Sequence, residues 1–169
     1  MKSTNSRRDF LKVSAISGGG LLLSLVLPSF ESNASPTAVA DYMPNIYIKI
    51  KSDGTIVLLA PNPEIGQGIK TAFPVVVAEE LDVDWAQVQV EQANLDTKLF
   101  ERQLTGGSGA LKHSWERLRK AGATVRKMMM QAAADQWKVD VSTCKTAKGV
   151  VLGPAGQKAT YGSLAEAAA

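Results

Sequence analysis

Ile46, Ile48 and Ile50 alternate with Tyr47, Lys49 and Lys51, and after Ser52-Asp53-Gly54-Thr55 the two-residue period resumes at Ile56, Leu58 and Ala60. Alternation sends successive side chains to opposite faces, so the two runs predict a half-buried β-hairpin. Asp53-Gly54 predicts a tight type I′ turn, which needs positive φ at both central residues. The pattern then changes period. Residues 70–81 read as a helix with Val75, Ala78 and Leu81 as its inner stripe and Pro74 in the first turn, where a missing N–H is tolerated. Val88 and Val90, flanked by Gln87, Gln89 and Glu91, predict a third strand, half buried. From Ala110 to Trp137 the residues Trp115, Leu118, Gly122, Val125, Met129 and Ala132 recur at steps of three and four, which predicts a long amphipathic helix. Residues 150–152 and 158–160 read as a short hairpin, and a helix begins at Tyr161. The expected fold is α+β, a small mixed sheet with a hairpin and two main helices.

At 169 residues, 45% hydrophobic and 21% charged, the chain has the composition of a globular protein with one modest core. The net charge of +3 is inflated at the N-terminus, where Lys2, Arg7, Arg8 and Lys12 face only Asp9. The remainder is near neutral, so no nucleic-acid partner is implied. Arg117, Arg119, Lys120, Arg126 and Lys127 read as the solvated face of the long helix, and Met128, Met129 and Met130 as core filler. Cys144 is the only cysteine, which excludes an intrachain disulfide and cannot by itself supply an iron–sulfur or zinc site; it reads as a small buried hydrophobe. His113, also single, reads as a helix-surface residue rather than a metal ligand.

The N-terminal 40 residues read as a targeting signal. Paired Arg7 and Arg8 precede Phe10, Leu11 and Lys12, a moderately apolar stretch runs to Leu27, and Ala38 and Ala40 fit an A-x-A cleavage site that would leave Asp41 first. This reads as a twin-arginine export signal, served by the twin-arginine translocase and ending in the periplasm. A membrane anchor is the alternative, but Gly18, Gly19, Gly20 and Pro28 interrupt the stretch, which falls short of the roughly 20 apolar residues of a spanning helix. Residues 41–169 form the second unit.

Two glycine-rich loops each lead into a helix. The first, PNPEIGQG, places Gly66 and Gly68 around Gln67. A Walker loop is excluded, since Glu64 and Ile69 stand where its glycines would fall before Lys70-Thr71, and a dinucleotide fingerprint is excluded by Thr71 in its third position. The second, TGGSGA, carries Gly106, Gly107 and Ser108 to the start of the long helix. Its bare N–H groups suit an anion, with Ser108 as a cap or as a donor to such a ligand.

In the order PNPEIGQG, AEELDVDW, RQLTGGS, AADQWKVD, GVV and YGSLAEAA, behind the twin-arginine leader, the chain resembles the start of the large (beta) subunits of molybdenum hydroxylases. That family includes isoquinoline 1-oxidoreductase, xanthine dehydrogenase and aldehyde oxidoreductases. The resemblance implies a molybdenum–molybdopterin cytosine dinucleotide cofactor and hydroxylation of N-heterocycles or oxidation of aldehydes with oxygen from water. It places Gln67 at the position whose amide hydrogen-bonds the apical oxygen ligand of the metal, with Gly66 and Gly68 allowing close approach, and Gly106, Gly107 and Ser108 near the pterin dinucleotide. No residue here is implied as a direct metal ligand. Nor does a residue match the family's catalytic glutamate, and Glu64 is not that base. The expected partners are the remainder of the large subunit and a small subunit carrying iron–sulfur clusters. On this reading the chain is the N-terminal part of such a subunit, inactive alone. An exported non-catalytic binding domain and a non-functional remnant are the alternatives.

Overall fold

The computed structural model describes residues 43–165, 167 and 168. The leader residues Arg7, Arg8, Ala38 and Ala40 lie outside them.

Strands β1 (Ile48–Ile50) and β2 (Ile56–Ala60) form the expected antiparallel hairpin, with Ile50 opposite Ile56. Their connection is not a type I′ turn. It spans the five residues between Ile50 and Ile56, Gly54 N–H donates to Lys51 O (2.9 Å), and only Gly54 takes positive φ (89°). Asp53 instead uses its carboxylate, which accepts from Thr55 N–H at 2.8 Å. A longer loop with one left-handed glycine therefore replaces two strained residues. From β2 the chain crosses through helix α1 (Ile69–Leu81) and a 3₁₀ turn to strand β3 (Val88–Gln92), which pairs parallel to β2. The sheet is thus mixed, in the order β1-β2-β3.

Helix α1 begins after Gly68 in a left-handed conformation and ends at Asp82, also left-handed (φ 54°), whose N–H closes on Ala78 O and Glu79 O. Its buried positions include Ile69, Phe73, Val77 and Leu81. Val75, expected inside, is 50% exposed. The sequence offers three consecutive valines; steps of four from Ile69 select Val77. Pro74 sits in the second turn, a position later than expected, since the helix starts at Ile69.

Helix α2 (Ala110–Trp137) has the expected bounds and buries Leu118, Gly122, Val125, Met129 and Ala132. Trp115, expected on this stripe, is 47% exposed, and Ser114 takes the inner position. At the crossing of α1 and α2 a Cβ on Gly122 would lie 2.9 Å from Glu80 Cβ and 3.3 Å from Val77 O, so the glycine permits the close approach. Ile48, Ile50, Ile56 and Leu58 join Phe73, Val77, Leu118, Val125 and Met129 in one core.

A second sheet follows, β4 (Lys145–Ala147), β5 (Val150–Leu152) and β6 (Lys158–Thr160), antiparallel throughout. The β5–β6 hairpin matches the sequence reading. Strand β4 is additional, its KTA giving no apolar alternation to find. Asp82 ties this sheet to the helices: its carboxylate accepts from Thr146 Oγ1 (2.7 Å) and pairs with Arg126, while its carbonyl accepts from Gly149 N–H (2.7 Å). The short helix α3 (Tyr161–Leu164) closes the unit, with Tyr161 Oη donating to Leu81 O at 2.7 Å. Cys144 is buried and His113 exposed, as expected.

Candidate functional site

The two glycine loops meet. An open cleft of about 480 Å³ is lined by Ile65, Gln67, Ile69 and Ala72 on one side and by residues 105–111 on the other. Gln67, Gly106, Gly107 and Ser108 therefore share one space, although Gln67 and Gly106 lie 39 positions apart in sequence. Gly66 and Gly68 do not line it. They shape the turn behind it, with φ of 95° and 77°.

The first loop is ordered by its own side chains. Gln67 Oε1 accepts from Ile65 N–H (2.6 Å) and Gln67 Nε2 donates to Pro63 O (2.9 Å). A primary amide carries two N–H groups, so one remains for a ligand after that bond. Glu64 Oε1 accepts from Gly66 N–H and Gly68 N–H, and its Oε2 from Lys70 N–H. The N–H bonds from Lys70 and then Gly68 hold the Glu64 carboxyl below the usual carboxylate range. This is the nest of N–H groups that a phosphate would occupy, and the chain fills it itself.

The second loop is left open. Gly109 N–H closes a turn on Gly106 O (3.3 Å), with Gly107 (φ 60°) and Ser108 (φ 52°) both left-handed. Ser108 does not cap α2; Gly109 is the N-cap and no side chain bonds to the first turn. A Cβ on Gly107 would meet nothing within 4 Å. Arg102 lies against the loop, its Nη2 donating to Gly106 O (3.1 Å) while its Nε is buried without a partner. Uncapped N–H groups, the positive end of a 28-residue helix and an adjacent guanidinium fit an anionic group such as a phosphate.

Sequence reasoning missed the residues that join the loops. Asn62, 1% exposed, donates through Nδ2 to Leu104 O (2.9 Å) and accepts from Ser114 Oγ (3.4 Å). Thr105 Oγ1 donates to Pro63 O at 2.8 Å. The one signal was an asparagine held between two prolines, a polar residue fixed in an extended segment. Among the described residues no three His, Cys, Asp or Glu side chains cluster as for a metal ion, and no helix is long and apolar enough to cross a membrane.

Residues 22–169 match the model of a family described as the molybdopterin cofactor-binding domain. The isoquinoline 1-oxidoreductase subunit beta of Brevundimonas diminuta is 36% identical over 94% of this chain and 21% of its own length. A protein of Gluconacetobacter polyoxogenes named membrane-bound aldehyde dehydrogenase (pyrroloquinoline-quinone) is 29% identical over the same shares. Of solved structures, quinoline 2-oxidoreductase from Pseudomonas putida 86 superposes with a TM-score of 0.56 at 20% identity, covering 71% of this chain and 15% of that one. The Cu,Mo-CO dehydrogenase superposes at 0.57 and 19% identity, covering 69% and 15%. At such identities the superpositions establish the fold. The chain spans about a fifth of the length of the two curated relatives.

Proposed function

This chain belongs to the molybdopterin cofactor-binding domain family, and we propose that it forms one wall of the cofactor site in the large subunit of an exported molybdenum-dependent oxidoreductase. The observation that carries the reading is the shared cleft. It offers a neutral amide donor at Gln67 on one side and bare anion-accepting backbone at Gly106, Gly107 and Ser108 on the other.

The bound cofactor would supply two-electron oxidation of a substrate carbon, with oxygen from water. This chain's residues hold and orient. Gln67 presents an amide N–H that adds no charge and does not compete for the metal. The start of α2, with Arg102 beside it, receives the phosphates of the dinucleotide, the cytosine form. Asn62 and Thr105 set the distance between these two contacts. The substrates proposed are N-heterocycles or aldehydes, in keeping with the names of the relatives. The partners are the rest of the large subunit and a small iron–sulfur subunit that takes the electrons, and the twin-arginine leader sends the enzyme to the periplasm.

The test is the complete enzyme, purified from a host that makes the cofactor. It should carry one molybdenum per large subunit and reduce a dye with N-heterocycles or aldehydes. A folded enzyme free of molybdenum and pterin overturns the reading.

A further inference from the structure

Gln67 stands between two glycines whose φ angles of 95° and 77° lie where no Cβ restricts the chain. Glycine loses more conformational freedom on ordering than any other residue, so a Gly-Gln-Gly loop left alone would sample many directions for its amide. The two bonds made by the Gln67 side chain, to Pro63 O and from Ile65 N–H, are neutral ones between near neighbours. Such bonds are too weak to offset that entropy unaided. The stronger restraint comes from Glu64. Its Oε1 takes Gly66 N–H at 2.8 Å and Gly68 N–H at 3.0 Å, and its Oε2 takes Lys70 N–H at 3.0 Å. These charge-assisted bonds clamp both glycines and the first turn of α1, which has no other side-chain cap.

We infer that Glu64 is a positioning residue: its carboxylate is the loop's built-in anion and fixes the direction in which Gln67 presents its amide. The inference rests on the reading that Gln67 faces the cofactor. It has a second consequence. Because the nest is already filled, external anions are excluded from the Gly-Gln-Gly loop and directed to the open loop at Gly106 to Ser108.

Hydrogen exchange followed by NMR on the full 169-residue chain tests this without any cofactor. Wild type is compared with Glu64→Gln, which keeps the shape but loses the charge, and with Glu64→Ala, which empties the nest. In both variants the amides of Gly68 and Lys70 and the side-chain amide of Gln67 should exchange at least tenfold faster, while Leu58 and Val125 in the core are unchanged. Added formate, a free carboxylate, should restore protection in Glu64→Ala and leave Glu64→Gln unaffected. Unchanged exchange at Gln67 in both variants, a rise that spreads equally to Leu58 and Val125, or no restoration by formate overturns the inference. Failure here leaves the cofactor reading standing, and an enzyme without molybdenum would leave this result standing.

Discussion

Gln67 and Thr105 converge on one oxygen: Gln67 Nε2 at 2.9 Å and Thr105 Oγ1 at 2.8 Å both donate to the carbonyl of Pro63. The carbonyl thereby couples the amide of the first loop to the Thr105 hydroxyl of the second. Thr105→Val keeps the shape and removes the hydroxyl. Thermal unfolding should show a loss of about 1 kcal/mol, the usual worth of one hydrogen bond, and the complete enzyme should release its cofactor faster. Identical cofactor retention would mean that the shared carbonyl does not couple the loops.

Gln67→Ala removes an amide that lines the cleft from an exposed loop and little packing. In the complete enzyme turnover should fall by a factor corresponding to about 1–3 kcal/mol with molybdenum content nearly unchanged, and thermal unfolding should show a loss of about 1–2 kcal/mol for the two bonds to Pro63 O and from Ile65 N–H. Unchanged turnover at full metal loading would remove Gln67 from the site.

Gly162 at the start of α3 approaches the β1–β2 turn so closely that a Cβ would lie 2.5 Å from Ser52 O and 2.7 Å from Gly54 N. Backbone on both sides leaves no room to yield. Gly162→Ala should cost about 1–3 kcal/mol in urea unfolding, as overpacking does. A neutral result would show that α3 can shift off the turn.

Burial raises the Tyr161 hydroxyl from its ordinary value of 10.0 to about 12. Between these values the tyrosine of the unfolded chain ionises while Tyr161 in the fold keeps its proton, so its contribution is complete below pH 10 and is lost as pH rises to about 12. Two pKa units correspond to about 2.7 kcal/mol over the whole range, more than half of it between pH 9.5 and 11.5. Urea unfolding at pH 9.5 and 11.5 should show that loss in the wild type and a smaller one in Tyr161→Phe. Equal losses would mean that another group governs the alkaline limit.

Residues 1–45 fused to a folded reporter should direct it to the periplasm, and replacing Arg7 and Arg8 by lysine should abolish that transport. Equal periplasmic yield from both fusions would refute the twin-arginine assignment.

Periodicity along the chain determined where most of the elements run, β4 excepted. The limits of α2 at Ala110 and Trp137, the hairpin of β1 and β2 and the half-buried β3 all follow from the spacing of apolar residues, because burial of one face is encoded locally. The ordered motifs from PNPEIGQG to YGSLAEAA likewise pointed to the family. Periodicity did not decide between neighbouring positions that fit the same stripe. Ser114 displaced Trp115 from the inner face where α2 passes Asn62, and Ser114 Oγ serves that asparagine's buried carbonyl oxygen. Val77 rather than Val75 is buried, in one core with Leu118 and Val125 of α2. The cleft itself belongs to tertiary structure alone. Thr105 and Pro63 are 42 residues apart, and their bond exists only because β2 and α2 deliver the two loops to the same place. Glu64 carried no sequence signal of its role, since a carboxylate beside glycines becomes an internal anion only when the turn aims three N–H groups at it.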